Sequence, residues 1–229
     1  MSYKYELHCH TGEVSTCADA PAAQTVERYK KAGYDGIVFT DHFSGLTFPP
    51  FNYFNHQKNA EHYLKGYRAA LQAAGDDFTV LFGMEIRFLL TPNDYLVYGV
   101  DEDFVKNFGN FLFDNQKKLY EKVHCAGGIL VQAHPFRGYV KRGDPRYLDG
   151  VEVFNGKTKN PVENEKSLLW ARGEGLTIHT SGSDYHHPDS KIAGGIETEE
   201  KITSNADLLR VLRSGEYKLI KSQEENDNG

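Results

Sequence analysis

Cysteine is scarce in this chain, and basic residues do not outnumber acidic ones. The 229 residues include three cysteines, Cys9, Cys17 and Cys125, which form an odd and widely spaced set. Such a set argues against a disulfide framework and fits a reducing compartment. The formal net charge of −6 lacks the basic excess that binding to nucleic acid or to an anionic membrane usually needs. We therefore expect neither bulk nucleic acid nor a membrane among the partners.

Long apolar runs are absent as well. The opening stretch, MSYKYELHCH, carries charges and histidines where a signal peptide needs an uninterrupted apolar segment. No run approaches the ~18 apolar residues of a membrane span, so we expect a cytoplasmic protein. No Pro/Ser-rich linker or repeat divides the chain, and we expect one domain over residues 1–220. The polar, acidic tail, residues 221–229, has nothing to bury and is predicted to be disordered.

Short apolar runs alternate with longer helical patterns along the chain. Helical patterns of apolar and charged residues, several of them ended by glycine, lie between the runs. Six or seven such βα units predict parallel strands with crossover helices, either in a barrel or in an open doubly wound sheet. The runs include GIVFTDH, FTVLFGMEI, DYLVYGV, ILVQAHP, DGVEVFN and LTIHTSGSDYH.

Most of these predicted strands end in a side chain that can bind a metal. The carboxyl ends of parallel strands meet at one edge of the fold, so residues distant in sequence come together there. Two of the side chains, His8 and His10, also share one face of an extended strand, because residues two apart point the same way. The candidate ligands are His8, His10, His42, Glu85, His134, Asp184 and His186.

The residue types in this set indicate the chemistry. Each residue alone has an ordinary structural explanation, such as a turn, a helix cap or an ion pair, so the prediction rests on their joint occurrence at five strand ends. Five histidines and two carboxylates suit zinc, manganese or iron, and they exceed what one tetrahedral ion can use. Glu85 is the natural bridging carboxylate. A hydroxide held between such ions is a nucleophile at neutral pH, and the ions stabilise charge on a phosphoryl group.

The motifs ELHCHT, TDH, GMEI, QAHP and GSDYH, in that order and spacing, resemble those of the PHP (polymerase and histidinol phosphatase) superfamily over roughly residues 6–195. The resemblance implies a distorted (β/α)7 barrel with parallel strands and a metal site at their C-terminal ends. It further implies two or three divalent ions (Zn, Mn or Fe) and a stand-alone phosphoesterase that acts on a small phosphorylated substrate. Histidinol phosphate, a nucleotide and a sugar phosphate all stay open, as does the oligomeric state. The ligand roles that the resemblance implies fall on His8, His10, His42, Glu85, His134, Asp184 and His186, with a supporting role for Glu6.

Two departures from the family pattern leave a third metal position open. Family members commonly supply a histidine or aspartate a few residues after the H-x-H motif, and here the choices are Glu13, Cys17 and Asp19. Another histidine often follows the glutamate motif, and here Asp94 or Asp101 could replace it. A Cys17 thiolate would bind zinc well, and an inert buried thiol is the alternative.

Two arginines follow the metal motifs closely. Arg137 lies three residues after His134, and Arg87 lies two residues after Glu85, so both are placed to reach the barrel mouth. A planar guanidinium binds phosphate through two hydrogen bonds, and we expect both arginines to bind substrate. Catalysis is expected to depend on Arg137 and Asp184. A surface salt bridge is the alternative for either arginine.

Two other functions would use the same residues. An amidohydrolase-like C–N hydrolase also carries an H-x-H motif in a metal barrel, but the paired TDH and GSDYH motifs favour the phosphoesterase. A non-catalytic, metal-binding regulatory module is the second alternative, and the largely intact ligand set argues against it. The long aromatic-rich segment 43–56 either walls the pocket or packs beneath the barrel rim.

Overall fold

The structure is a computed structural model that describes residues 2–48, 55–109 and 114–222. The strands are β1 (Tyr3–Cys9), β2 (Gly36–Phe39), β3 (His42–Phe43), β4 (Thr79–Arg87), β5 (Asp94–Tyr98), β6 (Ile129–Gln132), β7 (Gly150–Asn155), β8 (Ile178–Gly182), β9 (Gly194–Thr198) and β10 (Lys218–Lys221). The helices are α1 (Ala22–Lys31), α2 (His56–Ala74), α3 (Glu102–Asn107), α4 (Gln116–Cys125), α5 (Pro161–Gly173) and α6 (Asn205–Ser214). A short 3-10 helix, Pro145–Tyr147, precedes β7.

Seven of the strands form a nearly closed barrel. Their order around the sheet is β1-β2-β4-β5-β6-β7-β8. Tyr185, just beyond β8, pairs in parallel with Cys9 and brings the last strand back to the first. Neighbouring strands are parallel except at β5, which runs antiparallel to both β4 and β6. The predicted distorted (β/α)7 barrel is therefore confirmed, with one strand reversed.

The reversal of β5 follows from the length of its connection. Residues 88–93 join β4 to β5, and Arg87 pairs with Asp94 across the hairpin. A parallel crossover needs about a dozen or more residues, so six cannot return the chain to the other end of the sheet. The prediction of a parallel strand over 94–100 is wrong in this respect. The hairpin brings the start of β5, rather than its end, to the edge where the other barrel strands finish.

The barrel wall is packed on both sides. Every residue of β2, β5, β6 and β7 is buried. Strands with no exposed face need helices outside them, and α1 and α6 supply apolar side chains such as Tyr29 and Leu208. Polar side chains are therefore left to collect at the strand ends.

Several elements were not foreseen. β9 and β10 extend the sheet outside the barrel, with β9 antiparallel to both β1 and β10. Helix α4 begins at Gln116, where the Asn115 side chain accepts a hydrogen bond from the Lys118 amide. Of the segment 43–56, residues 49–54 lie outside the described ranges, and so do residues 223–229 of the predicted tail. No helix in the described ranges has both the length and the apolar character needed to cross a membrane.

Candidate metal centre

The seven ligand-type side chains predicted from the sequence come together at one end of the barrel. All are buried except His42, which is 18 % exposed. The short strand β3 aligns His42 with Glu85 of β4, because the two residues are register partners. The positions are His8 in β1, His10 directly after it, His42 in β3, Glu85 in β4, His134 two residues after β6, and Asp184 and His186 two and four residues after β8.

Glu85 lies in the middle of the cluster. Its Oε1 is 3.2 Å from Nε2 of His134 and 3.4 Å from Nε2 of His8. Its Oε2 is 2.8 Å from Nδ1 of His42 and 3.3 Å from Nε2 of His10. Each carboxylate oxygen thus faces its own pair of imidazoles, an arrangement that suits a carboxylate shared by two ions.

Asp184 closes the cluster from the β8 side. Its Oδ1 is 3.3 Å from Nε2 of His10, 3.6 Å from Nε2 of His8 and 3.2 Å from Nδ1 of His186. Its Oδ2 accepts a hydrogen bond from Arg137. One oxygen of this carboxylate therefore faces the histidines, and the other is bound to the guanidinium.

The backbone is strained at two of these positions. His134 and Asp184 have φ angles of 28° and 53°, and they are the only non-glycine residues with positive φ in the described ranges. Such conformations cost about 1–3 kcal/mol each and persist where the surroundings enforce them, commonly at functional sites. Gly182 is needed for a different reason, because a Cβ there would lie 2.3 Å from the Cβ of His8. Strand β8 can approach β1 this closely only with glycine at that position.

Buried nitrogen atoms without a hydrogen-bond partner indicate that the cluster binds a metal. His8 Nε2 and His10 Nε2, which face Glu85 and Asp184, are buried and have no hydrogen-bond partner. An unpaired buried polar atom costs about 1–3 kcal/mol, so lone pairs in this position are explained best by a cation. Four groups have ligand atoms within 4.8 Å of one another: His8 with His10 and Glu85, His8 with His134 and Asp184, His10 with His42 and His186, and His42 with Glu85 and Asp94. Imidazole and carboxylate together suit divalent transition metals.

The electrostatics favour ionised carboxylates. Burial raises the pKa of Glu85, but His42 and His8 outweigh it and hold that pKa well below the ordinary value. Burial likewise opposes the ionisation of Asp184, and His8, His10 and Arg137 hold its pKa well below the usual range. Burial and the neighbouring His186 and His42 hold the pKa of His10 well below its usual value. A neutral imidazole and two carboxylates are the forms that bind metal.

Glu152 of β7 is a functional residue that sequence reasoning missed. Its Oε1 is 2.7 Å from Nδ1 of His8, and its Oε2 accepts hydrogen bonds from the His134 amide and the Asn155 side chain, both at 3.0 Å. A carboxylate behind a histidine fixes the ring so that its other nitrogen points at the metal. A signal was present, since DGVEVFN places one acidic residue inside an otherwise apolar strand.

Glu6 also supports the cluster through the backbone. Its carboxylate accepts hydrogen bonds from the amides of His8 and Ser183, both at 2.9 Å, and from the hydroxyl of Tyr29 at 2.7 Å. The β1–β2 register shifts between Glu6 and Cys9, at the place where this carboxylate binds. Glu6 therefore fixes the path of β1 next to the segment that leads to Asp184.

Arg137 lies where the sequence places it, beside the cluster. It donates hydrogen bonds to Asp184 Oδ2, to Asn155 Oδ1 at 3.3 Å and to His134 Nε2 at 3.0 Å. Its side chain is 29 % exposed, so it borders both the buried histidines and the solvent.

Arg87 is paired with an acidic side chain that borders the cluster. Its guanidinium donates to both oxygens of Asp94, with Nε 2.5 Å from Oδ1. The antiparallel hairpin places the two residues opposite each other, which the prediction of parallel strands did not allow. The structure thus supports the ion-pair alternative for Arg87, except that its partner is fully buried rather than on the surface.

The structure also distinguishes between the alternatives for the two open ligand positions. Oδ2 of Asp94 is 3.8 Å from His134 Nε2, whereas Asp101 caps α3 by accepting a hydrogen bond from the Phe104 amide. Asp94 is therefore the acidic residue that the β4–β5 hairpin brings to the cluster.

Two of the three residues that follow the H-x-H motif bind partners outside the cluster. Both Glu13 oxygens accept from the Ala22 amide at the start of α1, and Asp19 pairs with His187 at 2.7 Å. Burial raises the pKa of the Cys17 thiol, but the neighbouring His186 and His42 outweigh it and lower that pKa to about 6. Cys17 is exposed, which contradicts the alternative of a buried thiol.

Known proteins share this architecture. A nearly closed α/β barrel with a histidine and carboxylate cluster at one end defines a class of metal-dependent hydrolases. The sequence model of the PHP domain matches residues 6–140. Because that match covers more than half of the 229 residues, the chain belongs to the PHP domain family, as its motifs predict.

Solved structures share the fold at low sequence identity. A two-domain protein from Bacteroides vulgatus that contains a predicted PHP-like metal-dependent phosphoesterase superposes with a TM-score of 0.71 at 15 % identity, over 97 % of this chain and 65 % of that one. An amidohydrolase from Chromobacterium violaceum, with bound sulfate and no metal, gives 0.55 at 13 % identity over 97 % and 99 %. The lesion-specific endonuclease PfuEndoQ from Pyrococcus furiosus gives 0.60 at 12 % identity over 96 % and 58 %.

These structural similarities establish the fold. The substrate has to be inferred from the residues of the site. The chain spans less than two thirds of the Bacteroides and Pyrococcus proteins. The three structures carry names for different chemistries, which fits the general finding that one fold hosts many functions. A search of curated proteins found no match.

Proposed function

We propose that this protein is a metal-dependent phosphoesterase that hydrolyses a small organic phosphate ester. The observation that carries the proposal is the arrangement around Glu85, in which each oxygen faces a separate pair of histidines while Arg137 borders the cluster and the solvent. The net charge of −6 supports a small substrate rather than a nucleic-acid duplex, which needs basic surface.

The side chains of the cluster would hold two or three zinc, manganese or iron ions. His8 and His134 would do so beside Oε1 of Glu85, and His10 and His42 beside Oε2. Asp184 and His186 complete the set from the β8 side. Such ions, when bound, make water a nucleophile at neutral pH and neutralise charge on a phosphoryl group.

The chain's own residues orient the reactants. Glu152 binds Nδ1 of His8 and the amide of His134, which keeps both rings in place. Arg137 presents a planar, permanently charged guanidinium at the mouth of the cluster, where it can bind two oxygens of a phosphoryl group. Asp184 holds Arg137 through Oδ2 while Oδ1 faces the histidines, so it links substrate binding to the metal ligands.

A substrate screen tests the proposal. Purified protein, prepared without chelator and reconstituted with Mn, Zn or Fe, would be offered histidinol phosphate, nucleotides, sugar phosphates, cyclic amides and a DNA duplex with an abasic site. We expect phosphate release from at least one small ester, and at least two metal equivalents per chain by elemental analysis. Hydrolysis of amides alone would favour the amidohydrolase-like alternative, and cleavage of the duplex alone would favour a nuclease. Bound metal without any turnover would favour the regulatory module.

A further inference from the structure

Strand β7 ends in an irregularity that turns two polar side chains to the same side. Its register with β8 shifts between Glu152 and Phe154, and Asn155 then pairs with Gly182 at the end of β8. Residues three apart point to opposite faces of a regular strand, so Glu152 and Asn155 would face apart without this shift. Instead, Nδ2 of Asn155 donates a hydrogen bond to Oε2 of Glu152 at 3.0 Å. Irregularities of this kind re-aim side chains next to active sites.

The backbone around Asn155 is held on both sides. The Asn155 amide donates to Oδ1 of Asn164 in α5 at 3.0 Å, and the amide of the next residue, Gly156, donates to the Gly182 carbonyl at 2.8 Å. The Asn155 residue is only 1 % exposed. Because buried polar groups are almost always hydrogen-bonded, this side-chain amide has to find its partners within the protein.

The Asn155 side chain uses all of its hydrogen-bonding capacity. Its Nδ2 donates to Oε2 of Glu152 and, at 3.2 Å, to Oδ2 of Asp184. Its Oδ1 accepts from Nη1 of Arg137 at 3.3 Å and from the Lys157 amide at 3.1 Å. An asparagine side chain has two donor hydrogens and two acceptor lone pairs, so these four bonds saturate it.

The neighbours of this amide decide its orientation. The flipped amide would set its oxygen against two carboxylates, which only accept, and its nitrogen against a guanidinium, which only donates. Nδ2 therefore faces Glu152 and Asp184, and Oδ1 faces Arg137. An aspartate at this position would place a third carboxylate against the other two, so the site requires an amide.

The same bonds determine which donors of Arg137 remain for a ligand. Nη1 carries two hydrogens and donates to Oδ1 of Asn155 and to Oδ2 of Asp184, so both are engaged. Nη2 donates to Nε2 of His134 at 3.0 Å and has a second hydrogen. Nε and Nη2 together form the planar fork that can bind two oxygens of a phosphoryl group. The Arg137 side chain is 29 % exposed, so a ligand can reach it from solvent.

We propose that Asn155 is a positioning residue for substrate binding, whose side-chain amide holds Nη1 of Arg137 beside Asp184 and leaves Nε and Nη2 directed at the phosphoryl group. The proposal rests on the proposed function, since it assigns how the arginine of that site is held. Without the amide, the guanidinium keeps Asp184 as a partner but loses the second contact that fixes its plane. Preorganisation of this kind lowers the cost of ordering a side chain when a ligand binds.

Inorganic phosphate tests this assignment without relying on turnover. Protein loaded with Mn²⁺ and freed of excess metal is titrated with phosphate by isothermal titration calorimetry. Asn155→Ala is expected to weaken phosphate binding about tenfold, the order that one hydrogen bond to a charged group is worth. In the Arg137→Ala background, where the ions still bind phosphate, Asn155→Ala is expected to change the affinity by less than about twofold, because contacting residues that act through each other are not additive.

Asn160→Ala is the matched control on the same loop. The exposed Asn160 caps α5 by accepting a hydrogen bond from the Val162 amide at 3.1 Å. Its removal should lower the stability in a denaturant titration and leave the phosphate affinity near the wild-type value. Circular dichroism verifies that the variants fold, and if Asn155→Ala does not fold, Asn155→Ser replaces it. The serine hydroxyl is too short to reach Arg137, so the same loss is expected.

The outcomes separate the two proposals. Metal-loaded wild-type protein that binds no phosphate would overturn the proposed function, and the positioning role with it. Wild-type protein that binds phosphate, together with near-wild-type affinity in Asn155→Ala, would overturn the positioning role alone. So would an equal loss in the presence and absence of Arg137, or a loss of metal from Asn155→Ala in elemental analysis, since the amide would then act through Asp184 rather than through the arginine.

Discussion

The two sides of the Glu85 carboxylate are built differently. On the Oε1 side, His8 and His134 are buried, and Glu152 binds the ring of one and the backbone of the other. Asp94, itself held by Arg87, lies 3.8 Å from His134 on this side and also within 4.8 Å of ligand atoms of His42 and Glu85. We call this the closed side.

On the Oε2 side, which we call the open side, His42 comes from a strand of two residues and is partly exposed. The loop that carries the exposed Cys17 is hydrogen-bonded to the His186 carbonyl on this side. No carboxylate in the described ranges backs the ring of His10, whose Nδ1 meets the hydroxyl of Ser15 instead. Because supporting carboxylates raise the basicity of a ligand and fix its orientation, an ion on the closed side should be held more firmly than one on the open side.

The largest effect is expected from the residue that the two sides share. Glu85→Gln keeps the shape of the side chain and removes its charge, so metal should be lost from both sides and phosphate release should fall to background. Elemental analysis of the purified variant measures the first effect and the ester assay the second. Glu165→Gln, on the exposed face of α5, is the matched control. A variant that loses metal from one side only would show that Glu85 does not join the two.

Next in size is the effect of Arg137, which borders the closed side through His134. Removal of one preorganised group that binds the transition state typically costs about 10²–10³-fold in rate, and Arg137→Ala should lose that much kcat/KM with its metal content unchanged. Arg137→Lys keeps the charge but loses the second hydrogen bond, so it should also be impaired. Near-wild-type kcat/KM in the alanine variant would place phosphate binding elsewhere.

Much of this arrangement could be read from the sequence, because ligands at the carboxyl ends of strands follow from the fold class. His8, Glu85, His134 and Asp184 meet at one end of the barrel, as the alternation of strands and helices predicts. That part of the site depends only on which residues end the strands.

The remainder of the site depends on geometry that spacing does not encode. The ion pair between Arg87 and Asp94 needs the antiparallel register of a hairpin that was predicted as two parallel strands. The role of Glu152 depends on the barrel bringing its side chain, in β7, within 2.7 Å of His8 in β1. The binding of Glu13 to the start of α1 and of Asp19 to His187 needs the fold of a loop, where tertiary hydrogen bonds rather than local preference decide the partners.

The comparison of the two sides is tested most directly at Glu152. Glu152→Gln replaces the carboxylate behind His8 with an amide, and supporting residues of this kind are worth about 10–100-fold in metal affinity. We expect that loss for one metal equivalent only, by competition with a chelator, while the affinity for metal on the open side stays near the wild-type value. An equal loss on both sides would mean that the sides do not act separately.

The smallest effect on activity is expected from a substitution of Arg87. The same substitution distinguishes between the two roles of that residue, substrate binding and the ion pair with Asp94. Arg87→Lys keeps a positive charge opposite Asp94 but cannot bind both of its oxygens at once. A hydrogen bond to a charged group is worth about 1.5–3 kcal/mol, so the free energy of unfolding should fall by that order in a denaturant titration. Because the guanidinium is already bound to Asp94, kcat/KM at saturating metal should stay near the wild-type value. A large rise in KM with unchanged stability would instead return Arg87 to the substrate-binding role that its position after Glu85 predicts.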